Sequence, residues 1–303
     1  MRMRTKKVRE KEKQADKPLV KHKNCLAKIN LFLDILKKRD DDFHELNSLF
    51  AELSLSDKIL IKLTENSQIK ISCTSDTIPD KSNLVFKIAS YLKDKYKVKS
   101  GIEIYLKKNI PVAAGLGGGS SDAAKTIQIC NEIWNLGLSP KQMHKLAAKF
   151  GSDINFFLEG GVKLVKGRGE IVLEQKNNLE IANILLVNPH IQISSKKAYN
   201  SVQSLEPHTA KFKNMQKALR QNELDLLCKN LHNSLEPGIF SEYPEIQSIK
   251  KNLLKLGASG SLMSGSGSTV FAIFKKSDTL LRAEHFFAKK NFWTHKTSLK
   301  KVR

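Results

Sequence analysis

The chain has 303 residues, of which 40% are hydrophobic and 27% are charged, a balance typical of a globular protein with a sizeable core. Its formal net charge is +22, and its four cysteines and eight histidines show no spacing typical of a disulfide framework or a transition-metal site. With no apolar run long enough for a membrane span and no signal-peptide pattern, the sequence predicts an intracellular, cytoplasmic protein with reduced thiols.

Residues 1–23 form the first distinct segment, a basic tail with ten Lys or Arg, three acidic residues and almost no large apolar side chains. We expect this tail to be disordered. The remaining positive charge is spread along the chain without an aromatic-studded basic stripe, which favours a generally lysine-rich composition. Nucleic acid is therefore not the expected partner, although a nucleic-acid-associated protein stays open as an alternative.

An apolar strand is expected over residues 25–36, with two polar residues, Lys28 and Asn30, in its interior. The simplest alternative for a lone strand lysine is that its ammonium group reaches water at the end of the strand. Further short strands are expected between residues 59 and 71. A helix over residues 82–93 should begin near Asn83.

A glycine-rich segment over residues 111–124 stands between an alternating apolar strand and a helix-patterned stretch. Its glycines let the backbone approach a ligand closely, and Ser120, Ser121 and Asp122 are suited to opening the helix. The segment lacks the Lys-Ser or Lys-Thr of a Walker A loop and the third glycine of a dinucleotide fingerprint. It predicts a phosphate cradle at a helix N-terminus more strongly than a flexible linker.

A helix expected over residues 139–150 is followed by Asp153 at a turn, where an aspartate is often only a cap. Two strands joined near Gly167 come next. The polar stretch that follows marks a domain junction, so we expect one domain over residues 24–176 and a second over 177–303.

The second half shows helices over residues 213–229 and 246–256, and then a second glycine-serine segment over 257–269 that precedes a strand at 270–274. Because it precedes a strand, this segment cannot build a second helix-terminus site. It is equally consistent with a plain turn and with a loop whose amides close over a ligand.

Five segments together resemble the GHMP kinase superfamily, and the resemblance covers nearly the whole chain from residue 25 onward. They are residues 27–33, 43–46, 111–124, 151–157 and 263–267. The Phe-His-Glu-Leu segment and the triple glycine resemble the corresponding segments of the members that phosphorylate a cytidine-diphosphate-linked methylerythritol in the non-mevalonate isoprenoid pathway. The resemblance implies an α+β, two-domain fold with the active site in the interdomain cleft.

The resemblance also implies phosphorylation of a substrate 2-hydroxyl, with Asp153 as the catalytic base and Lys28 orienting it. It implies ATP and Mg²⁺ as cofactors, with magnesium ligands that the sequence does not reveal. The residues it assigns to ATP are Asn83, Pro111, Gly115, Leu116, Gly117, Gly118, Gly119, Ser120 and Ser121. Those it assigns to the small-molecule substrate are Asn30, Phe43, His44 and Tyr199.

The chain departs from these relatives at one motif, usually Asp-Gly-Tyr-His-Glu-Leu, because Asp42 and Phe43 replace the glycine and the tyrosine. A phenylalanine ring can still stack on a base but has no hydroxyl, and Asp42 must adopt the backbone angle that a glycine served. A kinase for another small alcohol, such as homoserine or mevalonate, is the nearest alternative. The sequence does not specify the oligomeric state.

Overall fold

The structure, a computed structural model, describes residues 19–74 and 82–300 of the chain. The elements of the first half are β1 (Val20–Lys38), β2 (His44–Thr64), β3 (Ile69–Cys73), α1 (Leu84–Lys95), β4 (Gly101–Lys107), α2 (Gly118–Ile133), α3 (Pro140–Phe150), α4 (Ile154–Glu159), β5 (Val162–Gly167) and β6 (Ile171–Glu174). Those of the second half are β7 (Ile184–Asn188), α5 (Ser195–Asn200), α6 (Thr209–Gln221), α7 (Leu224–Lys229), β8 (His232–Asn233), α8 (Glu236–Glu242), α9 (Pro244–Lys255), β9 (Gly260–Met263), β10 (Val270–Ile273), α10 (Ser277–Ala288) and β11 (Trp293–Thr297). Helices packed on two separate sheets make an α+β fold, as the resemblance implies.

A long antiparallel hairpin of β1 and β2 forms the centre of a seven-stranded sheet. β2 pairs with β5 near its start and with β4 near its end, so the sheet branches along this strand. β3 and β6 extend the two branches, and β8 pairs in parallel with the other side of β1. A second, antiparallel sheet has the order β11-β7-β10-β9.

The hairpin is irregular where its two interior polar residues lie. The register between β1 and β2 shifts between Leu26 and Lys28 and again between Asn30 and Phe32. Such bulges bend a strand and change the direction of its side chains. Lys28 and Asn30 are only 4% and 2% exposed, so the lysine does not reach water at a strand end.

Helix α1 begins where the sequence predicts, because the Asn83 side-chain oxygen accepts a hydrogen bond of 3.0 Å from the Val85 backbone N–H. The apolar spacing of α1 buries one face of the helix in a core shared with α2, β2 and β4. Because α1 and α2 share this core, the helix that follows the glycine-rich segment is held rigidly.

Four predicted boundaries were wrong, and one of them is the helix expected over residues 213–229, which is two helices, α6 and α7, separated by Asn222 and Glu223. β1 begins at Val20, so the expected tail over 1–23 was too long: residues 20–23 pair with β2, and Lys23 forms a 2.8 Å ion pair with Glu132. Residues 1–18 lie outside the described residues. Helix α2 begins at Gly118 instead of at the serines, since Gly117 takes a left-handed φ of +69° at the N-cap. The second glycine-serine segment also contains a buried strand, β9.

The expected junction near residue 176 falls between β6 and β7. One element crosses it, because β8 of the second half pairs with β1 of the first. We retain domains over residues 24–176 and 177–303 as a proposal. Among the described residues, no helix is both long and apolar enough to cross a membrane.

Candidate active site

Lys28 and Asp153 meet although they are distant in the sequence: the Lys28 Nζ lies 3.6 Å from Asp153 Oδ2. Asp153 stands at the N-cap of α4, but its carboxylate makes no capping hydrogen bond, so it is not acting as a cap. Its side chain is 33% exposed, whereas that of Lys28 is 5% exposed. The pair combines a buried cation with a carboxylate that a ligand can reach.

The Lys28 ammonium is held by neutral groups as well as by the acid. Its Nζ donates a 2.7 Å hydrogen bond to Asn30 Oδ1 and lies 4.5 Å from the centroid of the Phe50 ring. Its backbone N–H donates to the Leu116 carbonyl at 2.9 Å, which ties β1 to the glycine-rich segment. Burial lowers the pKa of Lys28 below its ordinary 10.5, and the Asp153 carboxylate acts in the opposite direction.

The start of α2 is crowded on one side and open on the other. A Cβ at Gly117 would stand 2.8 Å from the Phe157 ring and 3.0 Å from Lys28 Cγ. A Cβ at Gly119 would meet nothing within 4 Å. The helix N-terminus thus packs against the lysine, and the space beside Gly119 in its first turn is open.

The second glycine-serine segment packs against the first. Ser264 Oγ donates to the Gly115 carbonyl at 2.9 Å, and a Cβ at Gly115 would lie 2.0 Å from the Ser264 carbonyl oxygen. Asn233 holds this loop by donating to the Gly265 carbonyl at 2.8 Å, and a Cβ at Gly265 would stand 3.2 Å from Lys28 Nζ. Two loops that the sequence left unconnected therefore enclose the lysine from both halves of the chain.

An anchor that sequence reasoning missed fixes the entry to the glycine-rich segment. Buried Asp57 accepts hydrogen bonds from the backbone N–H groups of Asn109, at 2.5 Å, and Ile110, at 2.8 Å. Lys108 forms ion pairs with both Asp57 and Asp122, the second at 2.7 Å. The only signal in the sequence was an acid inside a strand, which by itself has no fixed meaning.

The motif that departs from the superfamily pattern forms a turn before β2. Asp42 has a φ of +62°, so it does adopt the left-handed angle that a glycine would serve. Phe43 is 47% exposed, and the Arg168 guanidinium carbon lies 4.9 Å from its ring centroid. The position of Arg168 over the ring could not be predicted from the sequence.

The next residue, His44, stacks on Tyr199 with ring centroids 5.5 Å apart and planes 22° from parallel. Burial lowers the pKa of His44, and the positive charge of Lys38 lowers it further. Burial also raises the pKa of Tyr199, as does the negative charge of Asp153. The structure therefore places two neutral rings side by side, close enough to Asp153 for its negative charge to raise the pKa of Tyr199.

The structure brings together Lys28, Asn30, Asp153 and the glycine-rich segment, with the His44 and Tyr199 rings nearby. Asn83 stands at the start of α1, which packs on α2. Within the described residues its Nδ2 is buried without a hydrogen-bond partner.

Comparison with known proteins identifies the family. The GHMP kinases N terminal domain matches residues 83–161, and the GHMP kinases C terminal domain matches residues 215–292. A 4-diphosphocytidyl-2-C-methyl-D-erythritol kinase from Shouchella clausii is 40% identical over 257 residues, which cover 84% of this chain and 86% of that protein. The chain belongs to the GHMP kinase family. It is a small-molecule kinase that uses ATP.

Solved structures agree with this assignment. A crystal structure of 4-(cytidine 5'-diphospho)-2C-methyl-D-erythritol kinase superposes with a TM-score of 0.78 at 28% identity, covering 93% of this chain and all of that one. A homoserine kinase from Cytophaga hutchinsonii has a TM-score of 0.73 at 17% identity, covering 95% of this chain and 96% of its own. The second likeness shows the fold alone.

Proposed function

We propose that this GHMP kinase transfers the γ-phosphoryl group of ATP to the 2-hydroxyl of 4-diphosphocytidyl-2-C-methyl-D-erythritol, in the non-mevalonate route to isoprenoid precursors. Relatives of that name at about 40% identity over most of the chain support the substrate. The observation that carries the chemistry is the Lys28–Asp153 pair beside the glycine-rich segment. We also propose that the reaction takes place in the cytoplasm.

Asp153 is proposed to orient the substrate hydroxyl and to accept its proton at a carboxylate oxygen. Phosphoryl transfer depends more on alignment and charge stabilisation than on a strong base, because its transition state is loose. The Lys28 ammonium is positioned to hold the carboxylate in place and to stabilise the negative charge that develops on the transferred group. Its nearly complete burial strengthens that electrostatic effect.

The N–H groups of the first turn of α2 are proposed to hold the ATP phosphates. The residues assigned to the phosphates are Gly115, Leu116, Gly117, Gly118, Gly119, Ser120 and Ser121, and Pro111, at the start of the same segment, is assigned to ATP. Asn83, whose buried Nδ2 has no hydrogen-bond partner among the described residues, is assigned to the adenine side.

The donor set of the described residues fits a magnesium ion. Mg²⁺ prefers oxygen ligands, and Ser121 Oγ is a buried hydroxyl without a hydrogen-bond partner among the described residues, in the first turn of α2. Ser121 would hold the ion together with the phosphates. When bound, Mg²⁺ neutralises charge on the phosphate oxygens.

The cytidine end of the substrate is assigned to Phe43, His44 and Tyr199, and Asn30, which accepts from Lys28 Nζ, is assigned to the substrate beside the catalytic pair. A neutral His44 can both donate and accept a hydrogen bond, which suits the edge of a cytosine. The exposed Phe43 ring offers a stacking surface, and Arg168 covers part of it.

The test is ADP release by the purified chain with Mg-ATP and each of three acceptors: the cytidine substrate, homoserine and mevalonate. We expect turnover with the cytidine substrate alone and competitive inhibition by CDP. His44→Gln should raise KM for that substrate but not for ATP, whereas His144→Gln, beside Glu159 on the surface, should change neither. Turnover with homoserine or mevalonate would assign the site to another alcohol. Tight, steeply salt-dependent binding to DNA or RNA without turnover would favour a nucleic-acid role.

A further inference from the structure

Asp34, His208 and His232 form a second cluster of ionisable groups, away from the active site. Asp34 is in β1, six residues beyond Lys28, or about 20 Å at the usual rise of a strand. His232 is in β8, and His208 stands at the N-cap of α6. The fold therefore brings three distant segments to one carboxylate.

Both imidazoles direct a ring nitrogen at the same oxygen. His208 Nδ1 lies 3.0 Å and His232 Nε2 lies 2.9 Å from Asp34 Oδ1, and the three ligand atoms lie within 4.8 Å of one another. The two rings are 3.8 Å apart between centroids. The side chain of Asp34 is only 2% exposed, so bulk water does not solvate its negative charge.

Counting hydrogen bonds shows that this oxygen is oversupplied with donors. Asp34 Oδ2 accepts from the His208 backbone N–H at 2.7 Å. Oδ1 faces both imidazole nitrogens and also Ser234 Oγ, at 3.3 Å. His232 Nε2 also lies 3.2 Å from Ser234 Oγ, so the two imidazole nitrogens and the hydroxyl compete for a carboxylate oxygen that has two lone-pair sites. A cation would remove the conflict, because the nitrogens would then offer lone pairs instead of protons.

We propose that Asp34, His208 and His232 bind one Zn²⁺ ion, with the Ser234 hydroxyl or a water as the fourth ligand. Zinc takes nitrogen and oxygen ligands at about 2.0–2.1 Å in tetrahedral geometry, which separates ligand atoms by about 3.3 Å. The two nitrogen–oxygen separations need to open by roughly 0.4 Å, and the ring centroids, 3.8 Å apart, need to open to about 5 Å, so the part-exposed His208 ring has to swing outward when the ion binds. The His208 side chain is 36% exposed and leaves a path for the ion.

The bound ion cross-links β1, β8 and the start of α6, so its role is structural. Since β8 joins the second half of the chain to the central hairpin, zinc fastens the two halves together. The site does not depend on the proposed substrate, and its ligands take no part in phosphoryl transfer.

The experiment uses the untagged, full-length chain after removal of metal with a chelator. We expect calorimetric titration with Zn²⁺ to show one site per chain and a rise in Tm on binding. Co²⁺ should give the intense visible absorption of a tetrahedral site, without the near-ultraviolet band of a cobalt–thiolate bond. Absence of stoichiometric Zn²⁺ binding, or an octahedral cobalt spectrum, would overturn the proposal and leave a hydrogen-bonded histidine pair.

His208→Gln and His232→Gln should each lose the titratable site and the Zn²⁺-dependent rise in Tm. The matched control is His144→Gln, since His144 has Glu159 at 3.3 Å but belongs to no such cluster among the described residues. Kinase activity with Mg-ATP should persist in all three variants, which shows that they fold. Unchanged Zn²⁺ affinity in both His208→Gln and His232→Gln would overturn the ligand assignment.

Discussion

Replacing Gly115 with alanine tests whether the contact between the two glycine loops shapes the ATP site. Gly115 has a φ of +76°, which costs an alanine about 1–2 kcal/mol. The new Cβ would also stand 2.0 Å from the Ser264 carbonyl oxygen, so the loops must part by about 1.4 Å before ordinary contact at 3.4 Å is restored. A misplacement of about 1 Å in an active site lowers the rate about 100-fold.

We therefore expect Gly115→Ala to lower kcat/KM for ATP by about 100-fold or more, equivalent to about 2.7 kcal/mol of transition-state stabilisation. Gly137→Ala is the matched control, because Gly137 has a φ of +64° but a Cβ there would meet nothing within 4 Å. It should lose about 1 kcal/mol of stability, measured by urea unfolding, with little change in kinetics. Similar kinetics in the two variants would refute the role of the loop contact.

Three further expectations follow from the geometry of the site. Because burial lowers the pKa of Lys28, kcat should fall at alkaline pH, below pH 10.5, as the ammonium loses its proton. In Lys28→Arg the residual activity should no longer fall there, because a guanidinium keeps its proton. An unchanged fall in kcat would assign it to another group. Because burial lowers the pKa of His44, KM for the cytidine substrate should stay constant around pH 7 and rise only at acid pH, as the ring gains a proton. A rise in KM near neutral pH would contradict a neutral ring. Asp57→Asn removes one of the two carboxylates paired with Lys108, while Asp122 stays, and weakens the hydrogen bonds to the backbone of Asn109 and Ile110. It should lower the free energy of unfolding by about 1–3 kcal/mol and raise KM for ATP. A change in stability without a change in KM would show that the anchor does not position the loop.

Local signals in the sequence were sufficient for helices α1 and α3, but α10 was not predicted. Asn83 and Ser139 are polar caps directly before apolar helical patterns, and both helices begin there. The start of α2 was misplaced because serines are frequent caps, while the left-handed angle at Gly117 depends on the tertiary fit against Phe157. The start of β1 was missed because lysines mask a strand whose stability comes from its partner.

The site could be predicted from the sequence only in part, because tertiary contacts bring its residues together. Lys28 and Asp153 were identified by resemblance, and their 3.6 Å separation comes from two bulges in β1 and a turn before α4. The second loop could not be connected to the first from the sequence, since its docking depends on Asn233 in a two-residue strand. The histidine cluster was missed outright, because its members are far apart along the chain and have no motif spacing.

Identification of the reaction product tests the proposed function most directly. Phosphorus NMR of the reaction with Mg-ATP and 4-diphosphocytidyl-2-C-methyl-D-erythritol should show a new phosphomonoester on the 2-hydroxyl, formed with one ADP per product. Asp153→Asn should form it at a rate lower by about 100-fold or more while still binding ATP. A phosphate on a different hydroxyl, ADP release without a phosphomonoester, or full product formation by Asp153→Asn would contradict the proposed chemistry.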